Sequence, residues 1–423
     1  MTVILNAHIL SPADNLDING NILIKDGMVS DIMEGSIKDF PADAKVIDAK
    51  GAYAAPGFVD VHTHFRDPGQ TEKEDIHSGA QAAAAGGYTT VICMANTVPA
   101  VDSIETLSYV KEKASGENIH ILQCASVTVG REGKELTDFG GLLKAGAAGF
   151  TDDGSPVMDE NLVKTAMKNA ASLNAVLSFH EEAPEYVGVA GINEGKVSEE
   201  MGIRGADREA EISMVKRDLP LALESGCRID IQHVSARETV ELIREAKKKD
   251  SLNLIHAEAT PNHFSMTEDH VRKHGSLVKI NPPLRTEEDR RAIIEGLKDG
   301  TIDLIANDHA PHTIEDKRKE FPKCMSGIIG LETAFSLGIK NLIDTGDLAL
   351  EDLITLMSVN PAAVYGLDAG HIRIGHPADI VIFDPKEHTL YDHFKSKAVN
   401  SPFLGSNLPG RILHTIAGGK IVY

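Results

Sequence analysis

A chain of 423 residues with 42% hydrophobic content can bury a large core, and its net charge of −21 argues against nucleic acid or anionic lipid as a partner. It has no Trp and only 4% aromatic residues, too few for a base-stacking surface. Cys93, Cys124, Cys227 and Cys324 lie far apart without a Cys-x-x-Cys pair, which points to reduced, mostly buried thiols and a cytoplasmic protein.

Residues 1–55 alternate short apolar runs, such as Val3-Ile4-Leu5 and Asn21-Ile22-Leu23-Ile24, with turn residues. Asp26-Gly27 between two such runs predicts a tight hairpin. The first residues lack a basic stretch followed by a long apolar core, so no signal peptide is expected. No run approaches the roughly 18 apolar residues of a membrane span.

From 56 to 365 the texture changes. Eight short apolar runs, each suited to a buried strand, are separated by segments of helical length. The runs are Phe58 to His64, Thr89 to Asn96, Ile119 to Ser126, Gly149 to Asp153, Val176 to His180, Arg228 to His233, Asn253 to Glu258 and Asp303 to Asp308. Helices are expected over Lys73 to Ala85, Glu160 to Ser172, Arg208 to Ser225 and Ala236 to Lys249. Gly86-Gly87 and Gly140-Gly141 read as helix stops, and the charged stretch Thr313 to Lys323 as a solvated loop. Eight strand–helix repeats in one segment predict an α/β fold, a (β/α)8 barrel. From 366 to 423 short β runs return, among them Ala378 to Asp384 and Gly418 to Tyr423. The two chain ends are therefore expected to form one small β-sandwich beside the barrel.

Nearly every run ends on a chemically useful residue: His62 and His64, Asn96, Ser126, Asp152 and Asp153, His180, His233, Glu258, Asp308. Helix caps alone would supply Ser, Asp or Asn there, not four histidines. The C-terminal strand ends of such a barrel meet around one pocket. Residues two apart on a strand share a face, so His62 and His64 suit a common divalent ion. Taken alone, His-x-His is as compatible with structural histidines as with ligands, and His180 or His233 by itself reads more readily as structural. Together they offer enough imidazoles for more than one metal, and Asp308 could ligate one and exchange a proton. Only one of the neighbours Asp152 and Asp153 should face inward, the other bonding a turn before Gly154. Arg66 and Asn96 are placed to orient a polar substrate group, and His309 or His312 could reach substrate from the loop after the eighth strand. An anionic substrate would need local cations, metal and Arg, against the acidic whole. His256, His263, His270 and His274 read as surface or structural.

Pro56 to Gly69, with the core Asp60-Val61-His62-Thr63-His64-Phe65-Arg66, resembles the opening signature of the cyclic amidases of the amidohydrolase superfamily. Asn307-Asp308-His309-Ala310-Pro311-His312 resembles the closing signature, and Ser401 to Gly405 with Ile416 to Lys420 resembles the tail of type I bacterial dihydroorotases. The likeness implies reversible ring closure of N-carbamoyl-L-aspartate to L-dihydroorotate, in de novo pyrimidine synthesis. It implies one Zn2+ on His62 and His64, a second on His180 and His233, and Asp308 as ligand of the first and as acid/base. No lysine lies between Lys144 and Lys164, so the likeness is to members in which an aspartate bridges the metals, and it assigns Asp153. It carries Arg66, Asn96 and His312 to the substrate carboxylate, His64 to the substrate's surroundings, and Asn281 and the Ser326-Gly327 backbone to the ring amides. The chain departs from the family pattern on either side of Asn96, at Glu181, at Asn307 and at Ser326. A homodimer and an association with aspartate transcarbamoylase are further expectations. Two rivals remain: an allantoinase or hydantoinase, against which the missing lysine and the tail motifs speak, and a non-catalytic scaffold, which would be expected to lose ligands.

Overall fold

In the computed structural model, which describes residues 1–35, 40–41 and 43–423, the alternating runs become two sheet systems that share a boundary at Gly57. The N-terminal part supplies β1 (Thr2–Ser11), β2 (Leu16–Lys25), β3 (Met28–Glu34), β4 (Lys45–Asp48) and β5 (Tyr53–Pro56). The Asp26-Gly27 hairpin forms as its sequence requires. Both residues take positive φ, 52° and 82°, between the antiparallel β2 and β3.

The barrel follows with β6 (Phe58–Thr63), β7 (Tyr88–Cys93), β8 (His120–Gln123), β9 (Val176–Phe179), β10 (Arg228–Ile231), β11 (Ile255–Ala259) and β12 (Leu304–Ile305). All neighbouring pairs are parallel. Period-two alternation divides their side chains between two cores. Val59, Val61, Ile92, Val176 and Leu304 pack together with Tyr365, while Phe58, Val91, Leu177 and Ile229 pack with the helices. Gly57 lets β6 lie against β7, since a Cβ there would fall 2.2 Å from Thr89 Oγ1.

The fourth expected run, Gly149 to Asp153, is not a regular strand. Only Phe150 pairs, bridging Ala125 on one side and Leu177 on the other, and a bridge from Thr63 to His309 completes the circle. Asp152 explains the shortening. Its carboxylate accepts from Val127 N at 2.8 Å, Thr128 N at 3.2 Å and Thr128 Oγ1, so side-chain bonds to a neighbouring loop replace ladder bonds. The other strands also stop short, and His64, Asn96, His180, His233 and Asp308 lie just beyond the paired segments.

The C-terminal strands β13 (Ile380–Leu390), β14 (Asn407–Ala417) and β15 (Lys420–Ile421) join the N-terminal ones in a single hydrogen-bonded path, β15-β14-β13-β5-β1-β2-β3, with β4 beside β1. This sheet is the sandwich built from both chain ends. Ile4, Ile9, Ile22 and Ile24 meet Ile380, Ile382 and Ile416 in its own core. Its seam, β13 antiparallel to β5, ends at Pro56, so the strand that completes the sandwich leads directly into the first barrel strand.

Helices form over Ile76–Ala85, Glu160–Ser172, Glu209–Ser225 and Arg237–Lys247. Asp75 and Asp159 cap two of them. Two expectations fail. Gly140 and Gly141 do not stop a helix but open one, Phe139–Ala145, capped by Asp138, and Gly146 in the left-handed region ends it. The stretch 313–323 is not wholly solvated. Ile314–Arg318 is helical, and Lys317 is buried, its ammonium donating to Met325 O at 3.0 Å and Gly327 O at 2.9 Å. Backbone carbonyls replace water around that charge. Among the described residues no helix is long and apolar enough to cross a membrane.

Candidate active site

At and just beyond the strand ends, four imidazoles surround one carboxylate. Asp153 Oδ1 lies 3.6 Å from His62 Nε2, 3.4 Å from His180 Nδ1 and 3.9 Å from His233 Nε2, and Asp153 Oδ2 lies 3.5 Å from His64 Nε2. Asp308 Oδ1 is 2.9 Å from His64 Nε2 and 3.7 Å from His62 Nε2. All but Asp308 are buried, and Asp308 stays partly open. Asp153 is the inward member of its pair, and Asp152 is the one bonded to a loop.

The imidazole orientations are set by other side chains. His62 Nδ1 lies 2.9 Å from Glu258 Oε2, His64 Nδ1 2.8 Å from Asn96 Oδ1, and His180 Nε2 3.3 Å from Glu182 Oε2. Each contact leaves the opposite ring nitrogen facing the centre, the arrangement that holds imidazoles on a metal. Asn96 also donates from Nδ2 to Asp153 Oδ2 at 2.8 Å, so it ties His64 to the bridging position. Arg131 donates to the Asp153 carbonyl and to Ser155.

Three of these residues hold strained backbones: Arg66, His233 and Asp308 have φ of 59°, 32° and 47°. Non-glycine residues rarely adopt that region, and such outliers gather where geometry serves chemistry. Gly327 is required for a different reason. At φ 145° a Cβ would lie 2.6 Å from Ala310 O and 2.8 Å from the His312 ring.

A cavity of about 160 Å3 opens over the centre. Its walls include His64, Arg66, Asn96, Asn281, Asp308, His312, Ser326 and Gly327, so every expected substrate contact borders one small space. Arg66 Nε donates to Pro311 O at 3.3 Å, and His312 Nε2 donates to Ser326 O at 2.8 Å. Burial and the Arg66 charge push the His312 ring down to about 2, so it is neutral and acts as a hydrogen-bonding wall rather than a cation. Asn281 Oδ1 is buried without a partner.

The electrostatics call for positive charge. Burial lowers an imidazole, yet Asp153 and Glu182 push His180 up to about 10, and Glu258 and Asp153 raise His62 well above its usual range. Burial together with the charges of His180 and His62 drives His233 well below its own. Burial works against the Asp153 carboxylate, yet the adjacent His180 and His62 rings hold it ionised well below the usual range. His62 Nε2 is buried with no hydrogen-bond partner. An orphaned imidazole nitrogen beside a shared carboxylate fits a divalent cation, and two ligand sets can be drawn: His62, His64 and Asp153, and Asp153, His180 and His233.

Glu258, Glu182 and Arg131 carry no role in the sequence reading. Glu258 stands out in the sequence as the end of the seventh run, but nothing there shows that it orients His62. Glu182 follows His180 by two residues, a weaker sign, and the Arg131 loop gives none. Of the remaining histidines, His263 is structural, bonding Thr260 and the Pro282 carbonyl, and His256 contacts the Asn253 carbonyl.

The Dihydro-orotase-like family profile matches residues 51–239, and the Amidohydrolase family profile matches 229–423. A dihydroorotase of Clostridioides difficile (strain 630) is 51% identical over 423 residues, covering all of both chains. One from Clostridium acetobutylicum is 50% identical over all of this chain and 99% of its own. Among solved structures, an L-hydantoinase from Arthrobacter aurescens superposes with a TM-score of 0.86 at 26% identity, covering 99% of this chain and 95% of that one. A D-hydantoinase from Thermus sp., at 22% identity and a TM-score of 0.85, shares the fold.

Proposed function

The chain belongs to the dihydroorotase family, and from that premise we propose that it interconverts L-dihydroorotate and N-carbamoyl-L-aspartate with zinc at the Asp153 centre. The observation that carries this reading is the set of four imidazoles, drawn from separate strand ends, around one buried carboxylate. His62, His64 and Asp308 would hold one cation, His180 and His233 another, with Asp153 between them. Bound there, divalent cations supply Lewis acidity, activating water and polarising the scissile carbonyl.

The protein's own groups do the rest. Asp308, partly open and with Oδ1 2.9 Å from His64 Nε2, takes the proton of the attacking water and returns it to the departing ring nitrogen. Ring closure runs the same transfer backwards. Arg66 meets the substrate carboxylate with a forked cation, and Asn96 and neutral His312 add polar contacts beside it. Asn281 and the Ser326-Gly327 backbone face the ring amides, with the unpartnered Asn281 Oδ1 as an acceptor. Arg66 and the cations offset the acidic surface for an anionic substrate.

The reading extends to a cytoplasmic homodimer that can associate with aspartate transcarbamoylase, which size-exclusion chromatography with and without that enzyme tests. Turnover of dihydroorotate, hydantoin and allantoin by the purified protein tests the substrate. Dihydroorotate should be strongly preferred, and turnover of only the other two would overturn the assignment.

A further inference from the structure

A second group of imidazoles and carboxylate lies far from the catalytic cavity, in the segment that leads from helix Asn360–Tyr365 to β13. Asp368 Oδ1 lies 3.0 Å from His371 Nε2 and 2.9 Å from His376 Nδ1. The two rings are 4.7 Å apart and inclined at 81°. The same arrangement stands in the catalytic centre, where the His180 and His233 rings are 4.7 Å apart at 89°. There too one ring offers Nδ1 and the other Nε2 to a single carboxylate oxygen.

The segment is held in place without help from any ion. Ile372 N donates to Ser11 Oγ at 3.1 Å, Val29 N donates to His376 O at 3.0 Å, and Arg373 pairs with Asp14 at 2.9 Å. These contacts pin both histidines against the sandwich. The Asp368 side chain is 62% exposed, so an ion can reach its carboxylate from water.

We propose that Asp368, His371 and His376 form a separate site for a borderline divalent transition ion, distinct from the catalytic centre. Two imidazoles and one carboxylate select zinc, nickel or copper over magnesium or calcium, which favour oxygen donors. Three protein ligands on a solvent-facing loop leave the remaining positions to water. The site closes a loop of the linker and touches no residue of the cavity, so it binds without altering turnover.

The test uses the protein as purified, its catalytic metals in place, dialysed to equilibrium against micromolar Zn2+. Zinc per chain is then counted beside dihydroorotate turnover. Wild type should hold one equivalent more than the His371→Ala/His376→Ala double variant, with turnover equal in both. Equal zinc in the two proteins overturns the site. Should the double variant lose turnover through misfolding, Asp368→Asn decides, being a near-isosteric change at an exposed position. Zinc uptake by Asp368→Asn with wild-type stoichiometry and affinity also overturns the site, and weakened uptake of that one equivalent supports it.

Discussion

Asp153, with His180 and His233 among its neighbours, and Asp368, with His371 and His376, each face a pair of imidazoles in nearly the same relative pose, yet their surroundings differ at every further step. Around Asp153 the rings are buried, and the far nitrogens of His62, His64 and His180 are aimed by Glu258, Asn96 and Glu182. Around Asp368 the carboxylate is exposed, and His371 Nδ1 is buried without a partner. The first arrangement fixes ring tautomers and raises ligand basicity. The second leaves both to chance. A cavity with Arg66 and Asp308 on its wall accompanies only the first. Ligand identity and pose alone thus make a place for an ion. Burial, aimed nitrogens and a partly open acid beside a small cavity make a place for chemistry.

Substitutions can press on that contrast, beginning with the largest expected effect. Asp308→Ala should lower kcat by roughly 10²–10⁴-fold, the usual worth of a positioned acid/base. The thermal midpoint should stay near wild type, because Asp308 is the least buried member of the centre. Retained turnover would remove Asp308 from proton transfer. Glu258→Gln should reduce metal affinity or activity by about 10–100-fold, as is usual for a partner that aims a ligating histidine. Loss of that magnitude on changing Asp368→Asn instead would erase the contrast between the clusters.

Asp152→Asn probes the loop rather than the ions. It strips charge from an acceptor of three hydrogen bonds and should cost about 1–3 kcal/mol in denaturant unfolding. Its zinc content should fall less than that of Asp153→Asn, and the reverse order would exchange the two roles. Asp368→Asn should be the mildest, within about 0.5 kcal/mol in stability with unchanged turnover, as for exposed positions generally.

Much of the architecture was legible because the barrel repeats itself. Apolar runs such as Phe58 to His64 alternate with amphipathic helices, and that alternation has few solutions. Asp26-Gly27 is legible for a local reason, since a two-residue turn with positive φ admits few other pairs. Gly149 to Asp153 misled because its apolar pattern is strand-like, while the side-chain bonding of Asp152 is set by a loop more than twenty residues earlier. Lys317 misled because charge density suggests solvent, and only the fold brings backbone carbonyls around that ammonium.

The candidate site divides along the same line. Histidines at strand ends stand out because caps do not explain them, so His62, His64, His180 and His233 could be gathered from sequence before any contact was known. The positive φ of His233 and Asp308 could not, since nothing in a residue's identity announces a strained backbone. Nor could the cluster of Asp368, His371 and His376, where only the first two keep an i,i+3 spacing and His376 joins them through the turns at Gly370 and Gly375.

The proposed function depends on Asp153 as the carboxylate that two cation sites would share where the dihydroorotate ring opens. Its most direct test is zinc per chain measured beside dihydroorotate turnover, for wild type and Asp153→Ala in the His371→Ala/His376→Ala background. The Asp153-containing protein should carry more than one zinc and turn over dihydroorotate, and Asp153→Ala should lose both metal and turnover. Undiminished zinc and turnover in Asp153→Ala would contradict it.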